Sequence, residues 1–353
     1  MEGEKIMTDT SDKQAVRMNR RRFFTAAGGF AGLTALATAF GSAAAKAAET
    51  PIGPKWWPSK WGKGDQKGAT NYMTPQKTLE ATQLIKTGKV HSLGRVYEAE
   101  MPLFGNRAFS MRIPGAPTGG TFGDNKIVWN DEFLCTEIGQ VGTQFDGLAH
   151  IGVEAGKSGD KSEQRFYNGF TTQEMSNAYG VNKLGVEQLD PFFTRGVLMD
   201  VQRLRGRRMN KGEEITAADL QAALKAQNMS EADIRPGDAV FVNTGWGSLW
   251  KKDNATFNSG APGIGVGAAE WLIGKQVSLV GADTWPVEVV PNPDAKLAFP
   301  VHQMLITRNG IFIHENLAFD SLIADGSYSF AYIFSPMKLK GGTGSPGSPL
   351  AVT

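Results

Sequence analysis

Short apolar segments punctuated by glycine and proline, with helical segments between them, leave this chain few ways to fold. Residues 196–201 are rich in Val, Leu and Met and read as a strand. Residues 216–226 read as a helix, because Thr216 precedes Ala-Ala-Asp-Leu and apolar residues return at helical spacing. Residues 239–243, after a turn at Pro236-Gly237, read as a buried strand. Residues 266–274 follow as a helix with a glycine stop, 277–281 as a buried strand, 300–308 as a helix, and 311–313 and 328–334 as strands. Nearer the N-terminus, 74–87 reads as a helix with Thr74 as cap and Pro75 in its first turn, and 90–97 begins a set of strands. Strands outnumber helices, so the expectation is a single mixed α/β domain. No internal repeat or heptad pattern interrupts it.

The 353 residues include 20 Phe and 8 Trp, enough apolar bulk for a sizeable core, which excludes wholesale disorder. The one cysteine, Cys135, excludes an intramolecular disulfide framework and any multi-cysteine metal site. It precedes the polar stretch described below and reads as an inert core residue. Only His91, His150, His302 and His314 are available as imidazoles, so a metal site must also draw on carboxylates or amides. The formal net charge is +2, but residues 1–47 hold 7 basic and 4 acidic side chains, which leaves the remainder one charge negative. That balance carries no nucleic-acid footprint.

Residues 1–47 read as separate from the fold. Arg20-Arg21-Arg22-Phe23-Phe24 leads into an uncharged run of Ala, Gly, Thr and Phe that ends at Ala45-Lys46-Ala47, with small residues where a signal peptidase reads. A membrane anchor would be richer in Leu, Ile and Val. The segment resembles a twin-arginine export signal, which implies the twin-arginine translocase as a transient partner, cleavage near Ala47 and a periplasmic mature protein. Beyond the leader no transmembrane span is expected. Residues 48–93 then form an N-terminal arm and helix, with Trp56, Trp57 and Trp61 packed on the body, and 94–353 form the main domain. Within it, 115–123 is expected to be a loop able to act as a flap, and 340–349 a loop.

The densest polar cluster on a strand pattern runs from Glu137 to His150. Gln140, Gln144 and Asp146 share parity, so an extended backbone turns all three to one face, and His150 can return to that side after a turn at Gly147. Burying such a set without a ligand or metal is costly, although a hydrogen-bonded polar strand near the surface fits the spacing equally well.

This stretch resembles the signature of the putative cyclase family, which includes bacterial kynurenine formamidases and isatin hydrolases. The usual form is H-x-G-T-H-x-D-x-x-x-H. Gly142-Thr143, Asp146 and His150 match, while Gln140 and Gln144 stand in place of two histidines. Gln144 with Asp146-Gly147-Leu148 and Arg165-Phe166-Tyr167-Asn168-Gly169 resembles a longer branch carrying Gln there. The likeness continues through Pro262-Gly263-Ile264-Gly265, Val280-Gly281-Ala282-Asp283-Thr284, His302 with Glu315-Asn316-Leu317, and 338–346. It implies a cyclase-like swivelling β/β/α fold with a mixed sheet, Asp146, His302 and Glu315 as metal ligands with Gln144 and Gln140 as possible helpers, His150 as the catalytic proton carrier, and a homodimer or homotetramer.

A set rich in oxygen donors suits one divalent ion, Mn²⁺ or Mg²⁺ ahead of Zn²⁺. Two readings stay open. One is hydrolysis of a small amide, cyclic imide or lactone, a carbonyl substrate attacked by metal-activated water, with Phe145, Phe166, Tyr167, Trp246 and the 115–123 loop as pocket walls. The other is a metal-free relative that binds a small molecule or performs acid–base chemistry. Of the remaining candidates, His314 points away from Glu315 and reads as structural, His91 as a surface or packing residue, and Glu288 as an ion-pair partner.

Overall fold

The buried apolar runs become neighbouring strands of one sheet. We label its strands β1 (Val90–Ser92), β2 (Gln144–Asp146), β3 (Phe192–Asp200), β4 (Ala239–Asn243), β5 (Leu279–Ala282), β6 (Phe312–Glu315), β7 (Ser329–Phe334), β8 (Gly344–Pro346) and β9 (Leu350–Val352). Their spatial order is β8-β2-β6-β5-β4-β3-β7-β9-β1. The four central strands β3, β4, β5 and β6 are parallel, and the strands outside them pair antiparallel. β4 and β5 are buried along their whole length, as parallel strands covered on both faces must be. The computed structural model describes residues 49–353, which lie in one compact unit; the leader at 1–47 lies outside the described residues.

Three helices show why the sequence signals worked. α1 (Pro75–Thr82) has Pro at its first position and Thr74 accepting the Lys77 N–H, although it ends at Thr82 and not at the expected residue 87. In α2 (Ala217–Ala226) Thr216 and Asp219 form a reciprocal capping box. α3 (Val266–Gly274) buries Ala268, Ala269 and Leu272 in the main core. The segment Pro300–His302 continues into a π-helix over Gln303–Arg308, a form concentrated at functional positions.

Three expectations need correction. The tail at 340–349 is not wholly loop: β8 pairs with β2 and sets Gly344 opposite Asp146. Gly-Ser-Pro has no strand propensity of its own, and the buried partner imposes the conformation. A Cβ on Gly344 would come within 2.8 Å of the Gly139 and Phe145 carbonyl oxygens. The 115–123 segment is half strand, because Gly119–Phe122 pairs with Ile127–Trp129, while Phe109–Arg112 pairs with Phe133–Thr136. These two ribbons lie outside the nine-stranded sheet, and Cys135 within them is exposed rather than in the core. No helix among the described residues is long and apolar enough to cross a membrane.

Candidate metal centre

The centre is built where β2 and β6 run side by side. Their register places Gln144 opposite Glu315 and Asp146 opposite Ile313. Opposed residues share a face, so Gln144, Asp146 and Glu315 point together while Phe145 and His314 point away. The turn before β2 brings Gln140 onto the same face, with Gly139 at φ +91° and Gly142 at φ +61°. Two cross-links fix the stretches to each other: Thr143 Oγ1 donates to the Asn316 carbonyl at 2.9 Å, and Asn316 Nδ2 donates to the Gly142 carbonyl at 2.7 Å.

His302 completes the group from the helical segment. Its Nε2 lies 3.7 Å from Asp146 Oδ2 and 3.3 Å from Glu315 Oε1. One ligand atom from each of the three residues falls within 4.8 Å of the others, and all three side chains are buried. Atoms sharing one ion at about 2.1 Å sit roughly 3–4 Å apart, so the 3.3 and 3.7 Å separations from His302 Nε2 suit a single divalent cation. Asp146 Oδ2 is buried without any hydrogen-bond partner, an orphaned acceptor that fits a divalent ion. The donor set of two carboxylates and one imidazole fits a divalent metal.

The flanking polar groups orient this set. Glu288, fully buried, takes His302 Nδ1 at 2.5 Å and accepts the backbone N–H groups of His302 and Val301 at 2.9 and 3.2 Å. The imidazole is thereby held with Nε2 facing the carboxylates, the arrangement common to ligating histidines. Glu288 therefore pairs as expected, but its partner is a ligand-position imidazole, and no local spacing linked the two. Gln140 and Gln144 do reach the centre, but as donors. Gln140 Nε2 donates to Asp146 Oδ1 at 2.9 Å while its carbonyl accepts from Arg107 at 3.1 Å, and Gln144 Nε2 donates to Glu315 Oε2. Two buried carboxylates demand donors, and in this arrangement it is the amide nitrogens that meet them.

The electrostatics follow from crowding. Burial and the negative charge of Asp146 raise Glu315 to about 7. Burial would lower His302, but the carboxylates of Asp146, Glu288 and Glu315 around it overcome this and hold the imidazole well above its usual range. For Asp146 burial pushes upward, yet the neighbouring His150 and His302 keep it below the ordinary carboxylate value. His150 Nε2 lies 3.8 Å from Asp146 Oδ1, and burial keeps this imidazole below its usual pKa, hence neutral near pH 7. His314 is buried behind the sheet with Nδ1 at 2.7 Å from the Tyr332 hydroxyl, and His91 is buried against Ser321.

The open space beside these groups is a pocket of about 170 Å³. Its apolar walls are Phe104, Ile151, Trp285 and Phe299, with Arg107 at the side. Phe104 stacks on Trp285 at 3.9 Å between ring centroids, and Phe299 meets His302 edge-on at 5.6 Å. None of the four aromatics expected as walls lines it. Phe145 stacks on Phe312 in the main core, on the face opposite Asp146. Tyr167 is buried and bonded to Asp65 at 2.6 Å, beneath the N-terminal arm, where it borders a separate hollow with Trp56 and Trp61. Trp246 sits behind Trp285, both indole N–H groups donating to the Phe257 carbonyl. Phe166 lines an adjoining groove that shares His150 and Ile151 with the pocket. The parity that placed Gln144 and Asp146 together already excluded Phe145; the other three needed tertiary contacts that no local pattern carries.

A family profile described as putative cyclase matches residues 91–289. A solved structure described as a novel cyclase is 32% identical, covering 83% of this chain and 96% of its own, with a TM-score of 0.73. Isatin hydrolase A from Labrenzia aggregata, solved with benzyl benzoate, is 21% identical over 74% of this chain and 93% of its own, with a TM-score of 0.54. Isatin hydrolase A from Ralstonia solanacearum is 22% identical over 74% and 91%, with a TM-score of 0.51. The two isatin hydrolases share the fold with this chain. No curated protein matches it.

Proposed function

The chain belongs to the putative cyclase family, and from this premise we propose that it is a metal-dependent hydrolase of a small amide, cyclic imide or lactone. The observation that carries the reading is the convergence of Asp146, His302 and Glu315 around the unpartnered Asp146 Oδ2, beside a neutral His150. The isatin hydrolases that share the fold are hydrolases by name, which agrees with it. A divalent ion held there would supply Lewis acidity to a carbonyl oxygen and to water. An oxygen-rich set with one imidazole favours Mn²⁺ over Zn²⁺.

The protein's own groups divide the remaining work. Neutral His150 accepts a proton from water and returns it to the leaving nitrogen or oxygen. Glu288 fixes the His302 ring, and Gln140 and Gln144 hold the two carboxylates. Phe104, Trp285 and Phe299 offer flat apolar faces to a cyclic or aryl carbonyl compound and exclude water from one side.

A screen of aryl formamides, cyclic imides and lactones with Mn²⁺ and Zn²⁺ tests the activity. His150→Ala should lower turnover by about 10²- to 10⁴-fold with metal content intact, the usual span for a general acid–base group, whereas Glu315→Ala should lose both. The reverse pattern would overturn these roles. A second reading, metal-free acid–base chemistry, draws on the Gln140–Asp146 and Gln144–Glu315 bonds, which hold both carboxylates without an ion. Turnover that survives exhaustive chelation favours it. Export by the twin-arginine translocase to the periplasm belongs to the same proposal; N-terminal sequencing of the periplasmic protein should begin near residue 48.

A further inference from the structure

The hollow beneath the N-terminal arm is a built cavity that the metal centre does not use. It holds about 260 Å³ and shares no lining residue with the metal pocket. Trp56, Trp61, Tyr72 and Tyr167 form its walls, and Ile273 and Ile311 add apolar patches from the body. The rings are pinned. Trp61 meets Tyr72 edge-on at 5.2 Å, Trp56 Nε1 donates to the Phe166 carbonyl at 3.3 Å, and the Tyr167 hydroxyl is tied to Asp65. Aromatic walls held around an open space offer a flat ligand surfaces that need no rearrangement.

Two cations line the same space. Lys60 Nζ lies 4.3 Å from the centre of the Tyr72 ring and 4.6 Å from that of Trp61, so its close neighbours are π-faces rather than a carboxylate. Partial burial there lowers its pKa from the usual amine value, as expected of an ammonium short of solvation. Arg308 donates from Nη1 to the Ile52 carbonyl, and the rest of its five-donor fork has no partner among the described residues. Among the described residues no acidic side chain lines the hollow. Cations set among aromatic faces complement an anion carried on a flat ring: the ring takes the π-faces, and the carboxylate oxygens take the donors. A bare inorganic anion would leave the walls unused, and a neutral ring would leave both cations unanswered.

We propose that this hollow is a second binding site, selective for a small planar aromatic carboxylate. It stands on Lys60, Arg308 and the aromatic walls, and is independent of the reaction proposed for the metal centre.

Titration calorimetry of the full chain with 2-naphthoate tests it, with 2-naphthamide and inorganic phosphate as comparison probes. The expected result is naphthoate binding that Lys60→Ala and Arg308→Gln each weaken at least about tenfold, as the loss of a charge-assisted contact implies. Naphthamide should bind at least about tenfold more weakly than naphthoate, and phosphate should not displace naphthoate. Lys60 is exposed, so its replacement should leave the far-UV circular dichroism unchanged; where Arg308→Gln disturbs the fold, Lys60→Ala decides. Arg107→Ala, which removes a cation from the metal pocket, and treatment with chelator should each leave naphthoate affinity within about twofold of the untreated wild type. No binding at millimolar naphthoate overturns the site. Binding that survives both cation variants, or that Arg107→Ala or chelation abolishes, also overturns it, because the ligand then sits elsewhere or at the metal centre. Equal affinity for naphthamide overturns the role of the cations, and displacement by phosphate overturns the role of the ring.

Discussion

Glu288→Gln separates an oriented metal centre from a mere cluster of polar groups. The carboxylate of Glu288 satisfies three donors at once: His302 Nδ1–H, His302 N–H and Val301 N–H. Glutamine has nearly the same shape but only one acceptor atom. If its oxygen stays on His302, its NH₂ group faces the Val301 N–H, donor against donor, in a position only 1% exposed. Loss of a charge-assisted hydrogen bond costs about 1.5–3 kcal/mol, or roughly 2–5 °C in Tm for a chain this large. The imidazole also loses the anion that fixes its ring, which typically weakens metal binding about 10–100-fold, or ~1.4–2.7 kcal/mol. Competition against a fluorescent chelator, beginning from metal-depleted protein, reads the second effect separately from the first. An affinity within about twofold of wild type, given these magnitudes, would refute the claim that Glu288 positions a ligand.

The remaining expectations concern protons, strain and donor type. Metal binding must displace the proton from Glu315, raised to about 7, and from His302, also raised, so affinity should climb from pH 6 to pH 8 in calorimetry; a flat profile contradicts the ligand set. In metal-free protein both groups bind protons more readily folded than unfolded, so their contribution to stability is present at acid pH and lost as pH rises, for Glu315 through about 7 and for His302 above the ordinary imidazole range. Urea unfolding of chelated protein between pH 5 and 8 should show a fall that added metal reverses. Gly142→Ala places a Cβ at φ +61° and 2.7 Å from the Tyr97 ring, at a cost of roughly 2–4 kcal/mol seen in chemical denaturation; a change under about 0.5 kcal/mol contradicts the strained turn. Gln140→His with Gln144→His should raise zinc affinity at least about tenfold, since imidazole suits Zn²⁺ better than an amide, and unchanged affinity would contradict the placement of these two side chains beside the ion.

What could be read in advance follows a physical division. β4 and α3 match the sequence reading residue for residue, because each is a buried apolar run with its own stop signal, a Pro-Gly turn before one and a glycine ending the other. Strand parity likewise brought Gln144 and Asp146 to one face and put His314 on the other, whereas Gln140 reaches that face from the turn before β2, not from an extended strand. The misses are all features imposed from a distance. β8 is a strand only because β2 is its neighbour, and Gly119–Phe122 is a strand only because Ile127–Trp129 pairs with it, since Gly-Gly-Thr-Phe carries no strand alternation of its own. Glu288 meets His302 through a fold-back of the chain, and the Phe104–Trp285 wall joins residues 181 positions apart. Local pattern reports which face a side chain takes; it does not report what the rest of the chain brings to that face.

The central claim is that Asp146, His302 and Glu315 hold one divalent ion. Elemental analysis of protein stripped with chelator, reloaded with Mn²⁺ or Zn²⁺ and freed of excess metal tests it most directly. One equivalent per chain in the wild type, and none in Asp146→Asn or His302→Ala variants that retain their fold, is the predicted result. A wild type that takes up no metal at any loading, or variants that keep the full equivalent, would contradict it.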